Sequence, residues 1–362
     1  MFFHQRFLPI GTFVKARILP HSAKIFGCKR QMNRSAYPFP LLWNNTVNPT
    51  NRVTAMNLII SLFLLALSAI FLSYFAYRKA FFSPRANRTA IAALEGPQFE
   101  PHRDAMRRIF VQLAQRPFED VTIISHDGLT LYGRYYHIRD GAPLVIGFHG
   151  YRSCAMTDFA GGSELCFELE QNLLLVDQRA HGKSQGDTIT FGILERLDCL
   201  QWVNYAAMRF HCDILLYGLS MGAATVLMAS GLHLPSNVKG IIADCPYHSP
   251  KCIIQKVCKE MGFPPNLTFP FIRLGGLLFG RFDIAATTAG DAVRHASVPI
   301  LIIHGESDHY VPCAMSEDVL NSSPDYVTRH TFPGADHGIS YLVDTPRYKK
   351  VVSDFIKSVL IA

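Results

Sequence analysis

A serine stands between two glycines in Gly218-Leu219-Ser220-Met221-Gly222, directly after the apolar run Ile214–Tyr217 and before a small-residue, helix-prone stretch. An alcohol is a weak nucleophile until a base takes its proton, and the base needs a third group to fix its tautomer. Two downstream segments supply those types in the order nucleophile, acid, base. The apolar run Ile300–Ile303 leads into His304-Gly305-Glu306-Ser307-Asp308, and Pro333-Gly334-Ala335-Asp336-His337-Gly338 stands near the C-terminus. Asp308 is the expected acid and His337 the expected base. His309 and Glu306 flank Asp308 as decoys, and Asp336, beside His337, is expected to point elsewhere. In this assignment Ser220 attacks a carbonyl. His337 takes the serine proton and passes one to the leaving group, while Asp308 stabilises the imidazolium. The oxyanion that forms needs two backbone N–H groups. Met221 follows the nucleophile, and Tyr151 lies in His149-Gly150-Tyr151, just past the apolar run Leu144–Phe148. His149 is read as support for that loop.

These residues need a scaffold that gathers loop ends. Val121–Ser125 and Leu129–His137 read as strands joined across the turn sequence His126-Asp127-Gly128. Leu144–Phe148, Leu173–Val176, Ile214–Tyr217, Gly240–Ala243 and Ile300–Ile303 are further short apolar runs, with helix-like stretches such as Ile193–Phe210 and Met221–Leu232 between them. Strands alternating with helices imply an α/β fold with a parallel sheet covered on both faces. In such sheets functional residues collect just past the strand C-termini, where every residue named above falls. The small neighbours Gly218 and Gly222 let strand and helix approach each other around a sharply turned serine at a helix N-terminus.

The chain resembles the α/β-hydrolase superfamily, in particular bacterial membrane-anchored or secreted serine hydrolases of the serine aminopeptidase-like and acyl-hydrolase-like groups. The matching motifs are His149-Gly150-Tyr151, Asp177-Gln178-Arg179-Ala180-His181-Gly182-Lys183-Ser184, Gly218-Leu219-Ser220-Met221-Gly222, His304-Gly305-Glu306-Ser307-Asp308 and His337. They span residues 149–337, and flanking strands extend the likeness to 118–362. The resemblance implies an eight-stranded, mostly parallel sheet flanked by helices. It also implies a serine hydrolase with no cofactor and no metal, and a cap inserted over the nucleophile, here at about 245–297. The HGGG loop of some esterases is absent, which disfavours that subgroup. The cap segment carries Phe263, Phe269, Phe271, Ile272, Leu274, Leu277, Leu278 and Phe279. Two readings stay open for them: packing of the cap onto the body, or an apolar acyl-binding wall or membrane-contacting face. The segment holding Asp177, Arg179, His181 and Ser184 is read as a loop held by internal ion pairs.

Charge and hydropathy divide the chain. No Asp or Glu precedes Glu95, and residues 1–94 hold 12 Lys and Arg; the remainder, with 23 basic and 28 acidic residues, carries a net −5. The positive charge thus sits in a tail and around an apolar segment, which argues against a nucleic-acid-binding domain. Leu58–Tyr77 is 20 residues without a charge, long enough for one span of a bilayer core of about 30 Å. Tyr74 and Tyr77 fall at one end, and no small-residue cleavage site follows. Arg78, Lys79, Arg85 and Arg88 follow the span closely and only Arg52 closely precedes it. The bias toward positive charge inside places the C-terminal side in the cytoplasm. Nine cysteines, an odd number without CxxC, agree with free thiols in a reducing compartment.

The expected organisation is a basic, disordered tail at 1–55, a transmembrane helix at 57–77, a linker with a helix at 78–117, and the hydrolase domain at 118–362. Met56 stands directly before the span, so residues 1–55 are read as a mis-called start, a disordered tail or a targeting peptide. Removing residues 1–77 is expected to release an active soluble domain. The leading functional reading is a single-pass hydrolase of the cell membrane that cleaves a carboxylic ester or acyl thioester of a small-molecule or acylated substrate. Peptide or amide cleavage is the alternative chemistry, and a catalytically silent binding protein on the same fold the alternative class.

Overall fold

The computed structural model describes residues 49–84, 97–323 and 325–361. Of the segment read as a tail, residues 1–48 lie outside the described ones.

The first helix, α1 (Pro49–Ala80, 32 residues), begins earlier than the expected span. No Gly or Pro interrupts it between Thr50 and Ala80, so residues 50–56 simply continue its hydrogen-bonded ladder. Its apolar side chains are exposed along most of its length. The hydroxyls of Ser68 and Ser73 donate to the carbonyls of Leu64 and Ala69 one turn back, which satisfies them without a polar neighbour.

After α2 (Arg103–Gln115) come the strands β1 (Glu119–Ile124), β2 (Thr130–Tyr136), β3 (Leu144–Phe148), β4 (Asn172–Asp177), β5 (Ile214–Leu219), β6 (Val238–Asp244), β7 (Ile300–Gly305) and β8 (Val327–Phe332). They form one eight-stranded sheet in the order β1-β2-β4-β3-β5-β6-β7-β8. Only β2 runs against the others. The expected strands are all present, with ends shifted by at most two residues. The eighth, β8, is an edge strand whose middle residues Thr328–Thr331 are polar and partly exposed, so it lacks the apolar run that marks its neighbours.

Both faces of the sheet are covered, and successive residues alternate between them. Ile214 and Leu216 of β5 face one core with Trp202 of α5 (Glu195–Phe210) and Val226 of α6 (Met221–Ala229). Leu215 and Tyr217 face the other, with Leu113 of α2, Leu165 of α4 (Ala160–Glu168) and Val352 of α12 (Thr345–Ile361). The short helices α3 (Ala155–Asp158), α10 (Ala314–Ser322) and α11 (Ser340–Val343) line the connections. Between β6 and β7 the chain makes α7 (Pro250–Glu260), α8 (Pro265–Gly275), a π-helical turn Gly276–Gly280 and α9 (Ala289–Val293). Ser249 caps α7, its Oγ accepting from the Cys252 amide at 3.2 Å, and Pro250 supplies a first-turn residue with no N–H to satisfy.

The last turns of α1 belong to the first core. Tyr77 and Phe81 are buried there. The Phe81 ring meets the Phe191 and Phe282 rings edge-on at 5.9 and 5.1 Å, and Tyr77 shares a 2.7 Å hydrogen bond with Thr188. The expected cut after residue 77 would therefore remove Tyr77, a ring packed in this core.

Candidate active site

Ser220 is the junction of β5 and α6, with φ 56° and ψ −114°. For a residue with a Cβ this is strained backbone, held by its surroundings. The Ser220 amide donates to the Asp244 carbonyl at the end of β6, at 2.9 Å. A Cβ on Gly218 would collide with the Gly222 carbonyl, and one on Gly222 with the Phe148 carbonyl. Both glycines are therefore steric requirements of the turn, as the sequence pattern implied.

The structure brings the three expected side chains into one hydrogen-bonded chain. Ser220 Oγ lies 3.0 Å from His337 Nε2, and His337 Nδ1 lies 2.7 Å from Asp308 Oδ2. These residues come from loops after β5, β8 and β7. Asp308 is anchored on its far side, where Oδ1 accepts the amides of Tyr310 and Val311 at 2.9 and 2.7 Å. Burial alone would raise its carboxyl, but hydrogen bonds from His304, His337 and the backbone outweigh that and hold it well below the usual carboxylate range. The neighbouring candidates are used elsewhere. Asp336 accepts the amides of His309 and His337 and faces the His309 ring, and Glu306 accepts from Thr331.

The loop expected to offer the second N–H abuts Ser220. A Cβ on Gly150 would lie 3.4 Å from that of Ser220, and the Gly150 amide donates to Asp158 at 2.6 Å. His149 is fully buried. Its Nε2 accepts the Gln178 amide at 3.1 Å, so Nδ1 carries the proton donated to the Gly150 carbonyl at 2.8 Å. His181 repeats the arrangement, accepting the Arg152 amide at 3.0 Å and donating to the Arg179 carbonyl at 2.9 Å. These two imidazoles brace both sides of Tyr151. Met221 is the first residue of α6, where the backbone N–H has no partner within the helix. The Arg179 guanidinium is buried between Asp198 at 2.6 Å and Asp127 at 3.0 Å, and Ser184 accepts the Tyr132 amide at 2.8 Å. That loop is structural.

Two parts of the site have no simple sequence signal. His304 is fully buried, and its Nε2 lies 2.9 Å from the Val311 carbonyl and 3.2 Å from Asp308 Oδ2. It is a second imidazole on the same carboxylate, marked in sequence only by standing four residues before Asp308. Asp244, also fully buried, accepts from the Tyr348 hydroxyl at 2.7 Å, and that oxygen is hydrogen-bonded to Tyr217. Burial pushes the Asp244 carboxyl up to about 6, against the Tyr348 hydrogen bond. Cys245 Sγ lies within 4.8 Å of ligand-type atoms of Asp308 and His337. Burial holds this thiol well above its usual range.

The end of α1 is tied to the segment Tyr151-Arg152. The Tyr151 hydroxyl donates to the Ala80 carbonyl at 2.8 Å, and Arg152 Nη2 donates to the Lys79 and Phe82 carbonyls at 2.9 and 3.2 Å. Burial pushes the Tyr151 phenol up to about 12, so it remains a donor. The Tyr310 ring lies 5.1 Å from that of His337, and Lys256 of α7 donates to the His309 carbonyl at 2.5 Å. Ser220 is left only 6% exposed.

No family model matches the chain. It is 25% identical over 254 residues to the uncharacterized protein YqkD of Bacillus subtilis, a match covering 68% of this chain and 82% of that protein. It is 25% identical over 236 residues to the uncharacterized protein YfhR of Salmonella typhimurium, covering 60% of this chain and 74% of that one. Among solved structures, a Pyrococcus furiosus esterase superimposes with a TM-score of 0.56 at 22% identity, over 68% of this chain and 93% of the esterase. Est1E from Butyrivibrio proteoclasticus, solved with ferulic acid bound, gives 0.52 at 20% identity, over 67% of this chain and all of that one. Its eight-stranded sheet, in which only β2 is reversed, and its likeness to these hydrolases identify the chain as one with the α/β-hydrolase fold.

Proposed function

We propose that the protein is a membrane-anchored serine hydrolase that cleaves a carboxylic ester or acyl thioester through an acyl-enzyme. The observation that carries this reading is the chain Ser220 Oγ–His337–Asp308, at 3.0 and 2.7 Å, on a strained strand-to-helix turn. His337 takes the Ser220 proton as the oxygen attacks the acyl carbon. Asp308, ionised at any physiological pH, stabilises the imidazolium. The amides of Met221 and Tyr151 take the developing oxyanion. His337 then protonates the departing alcohol or thiol, and a water activated by the same imidazole releases the acid and restores Ser220. None of these steps calls on a group beyond the chain and water.

The anchor in this proposal is α1, whose apolar length supports a single span. Arg78 and Lys79 in its last turn support a cytoplasmic position for the domain. The eight described cysteines are all free, which agrees with a reducing compartment.

The test is labelling with a fluorophosphonate followed by a panel of ester, thioester and aminoacyl substrates. Covalent labelling lost in Ser220→Ala, with fastest turnover on esters or thioesters, is expected. Faster turnover of aminoacyl amides would move the assignment to a peptidase. No labelling of the unsubstituted protein would overturn the hydrolase reading.

A further inference from the structure

The apolar residues of the segment between β6 and β7 divide by burial in a way that core packing does not explain. Phe269 and Ile272 are buried in the first core. Phe263, Leu267, Leu277 and Leu278 are between 46% and 66% exposed. Leu267, Phe271, Leu274 and Leu278 follow one another at intervals of four, three and four, which places them in one stripe on the outer face of α8 and the turn after it. Residues 261–282 contain no Asp or Glu, and their only charges are Arg273 and Arg281. An exposed apolar stripe of this kind in a soluble protein marks a contact surface.

What the stripe contacts follows from where it is attached. Gly275 packs so closely on α1 that a Cβ there would collide with the Ser73 carbonyl. Next to it, the Phe279 ring meets Tyr74 edge-on at 5.1 Å and Tyr77 at 5.9 Å. These residues of α1 form the last turn of the uncharged segment Leu58–Tyr77. At a rise of 1.5 Å per residue, Ser73 lies about 6 Å inside the end of that segment. Interfacial amphipathic helices seat their apolar face at about 5–10 Å into the boundary. With α1 across a bilayer, α8 is therefore at the depth of the acyl-chain boundary. The loop bearing Tyr151 is fixed to Ala80, about 5 Å beyond the end of the same segment.

We propose that the outer face of α8 and the turn Gly276–Gly280 is a bilayer-contacting surface, and that it presents the Ser220 site to an ester or thioester whose acyl chain resides in the membrane. This rests on α1 as a span and, for the substrate class, on Ser220 as the nucleophile.

Depth can be read without activity. The full chain, reconstituted in phosphatidylcholine–phosphatidylglycerol vesicles, is compared as Leu267→Trp, Leu278→Trp, Leu64→Trp in mid-span, and Ile124→Trp on the exposed edge strand. Each spectrum is corrected for the unsubstituted protein. With acyl chains brominated near the headgroup to read 267 and 278, and brominated at mid-chain to read 64, quenching at all three but not at 124 is expected. Quenching at 64 alone would overturn the surface while leaving the anchor. Absence at all three apolar sites would overturn both. A blue-shifted signal at 267 and 278 that brominated lipid leaves unquenched and dilution removes would assign the stripe to a second copy of the chain.

A second arm tests the substrate class. Leu267→Glu/Leu278→Glu is expected to slow hydrolysis of a long-chain ester held in the vesicles by about tenfold or more, while changing a soluble acetate ester by less than about twofold. Equal losses on both substrates would overturn the bilayer substrate. No turnover by the unsubstituted protein, with quenching intact, would overturn the hydrolase reading and leave the surface standing.

Discussion

The Tyr151 hydroxyl reaches 71 residues back along the chain to donate to the Ala80 carbonyl, and in doing so ties the loop beside Ser220 to the end of a membrane-type helix. Arg152 reinforces the tie through the Lys79 and Phe82 carbonyls. Tyr151→Phe keeps the ring and the backbone N–H and removes the hydroxyl that makes this hydrogen bond, a loss of about 1 kcal/mol. Turnover is expected to fall by up to about fivefold, with fluorophosphonate labelling of Ser220 retained but slower. A kcat equal to that of the parent would show that the loop holds its position without α1.

A chain beginning at Met56 retains Ser73, Tyr74 and Tyr77 and their contacts with Gly275, Phe279 and Thr188, and is expected to label at the parental rate. One beginning at Arg78 lacks Tyr77, a buried ring packed on Phe279 and Phe82, and is expected to lose activity and heat resistance together. Tyr77→Ala in the full chain isolates the effect and should cost roughly 3–5 kcal/mol. Thermal unfolding in detergent measures it, and an unchanged midpoint would refute the role given to the ring.

Ser220→Ala is expected to abolish labelling while the protein stays folded, and His337→Ala to cost as much, because the three groups act as a unit. Asp308→Asn should lower kcat on the order of 10⁴-fold, since an amide no longer selects the imidazole tautomer that leaves Nε2 free. Near-parental turnover by Asp308→Asn would transfer the role of acid to another carboxylate.

Asp244 makes a pH prediction with a definite sign. Its folded-state value, about 6, lies above the ordinary 3.8. The folded protein therefore binds this proton more tightly than the unfolded chain does. The stability it contributes is complete below about pH 4 and is lost as the pH rises through about 6, amounting to no more than about 3 kcal/mol. Asp244→Asn, which can still accept from Tyr348, removes the dependence. The melting temperature of the variant relative to the parent is expected to rise steadily between those two pH values. A constant difference would mean that the carboxyl titrates normally.

Gly222→Ala places a methyl group where the Phe148 carbonyl oxygen stands, and backbone cannot yield as a side chain does. A loss of about 3 kcal/mol or more is expected, measured by denaturant unfolding. Gly128→Ala, whose Cβ would meet no atom within 4 Å but whose φ is +88°, should cost less, since only local conformational strain is added.

Local features carried most of what could be read before the structure. Leu144–Phe148, Ile214–Tyr217 and Ile300–Ile303 are buried on both sides, so their continuous apolar runs announced central strands. Ser220, Asp308 and His337 each lie in a loop that a neighbouring strand end explains. The strand Val327–Phe332 was illegible because its edge position leaves Thr328, Arg329, His330 and Thr331 partly in water. The contacts of Tyr151 with Ala80, and of Asp244 with Tyr348 104 residues away, depend on how distant segments meet, and no spacing within one segment encodes them. The burial of Tyr77 belongs to the same class, since nothing within its apolar run marks the one ring that packs into the core.

The positive φ of Ser220 means that the residue assigned the chemistry is also one that the fold would gain by losing. Glycine adopts that conformation freely, so Ser220→Gly is expected to stabilise the protein by on the order of 1 kcal/mol. Threonine or valine, branched at Cβ, should be among the least tolerated substitutions. In a random library screened only for folding, position 220 should drift toward glycine; screened for turnover, it should return to serine alone. The two selections would pull one codon in opposite directions, and the sequence in hand records which of them prevailed.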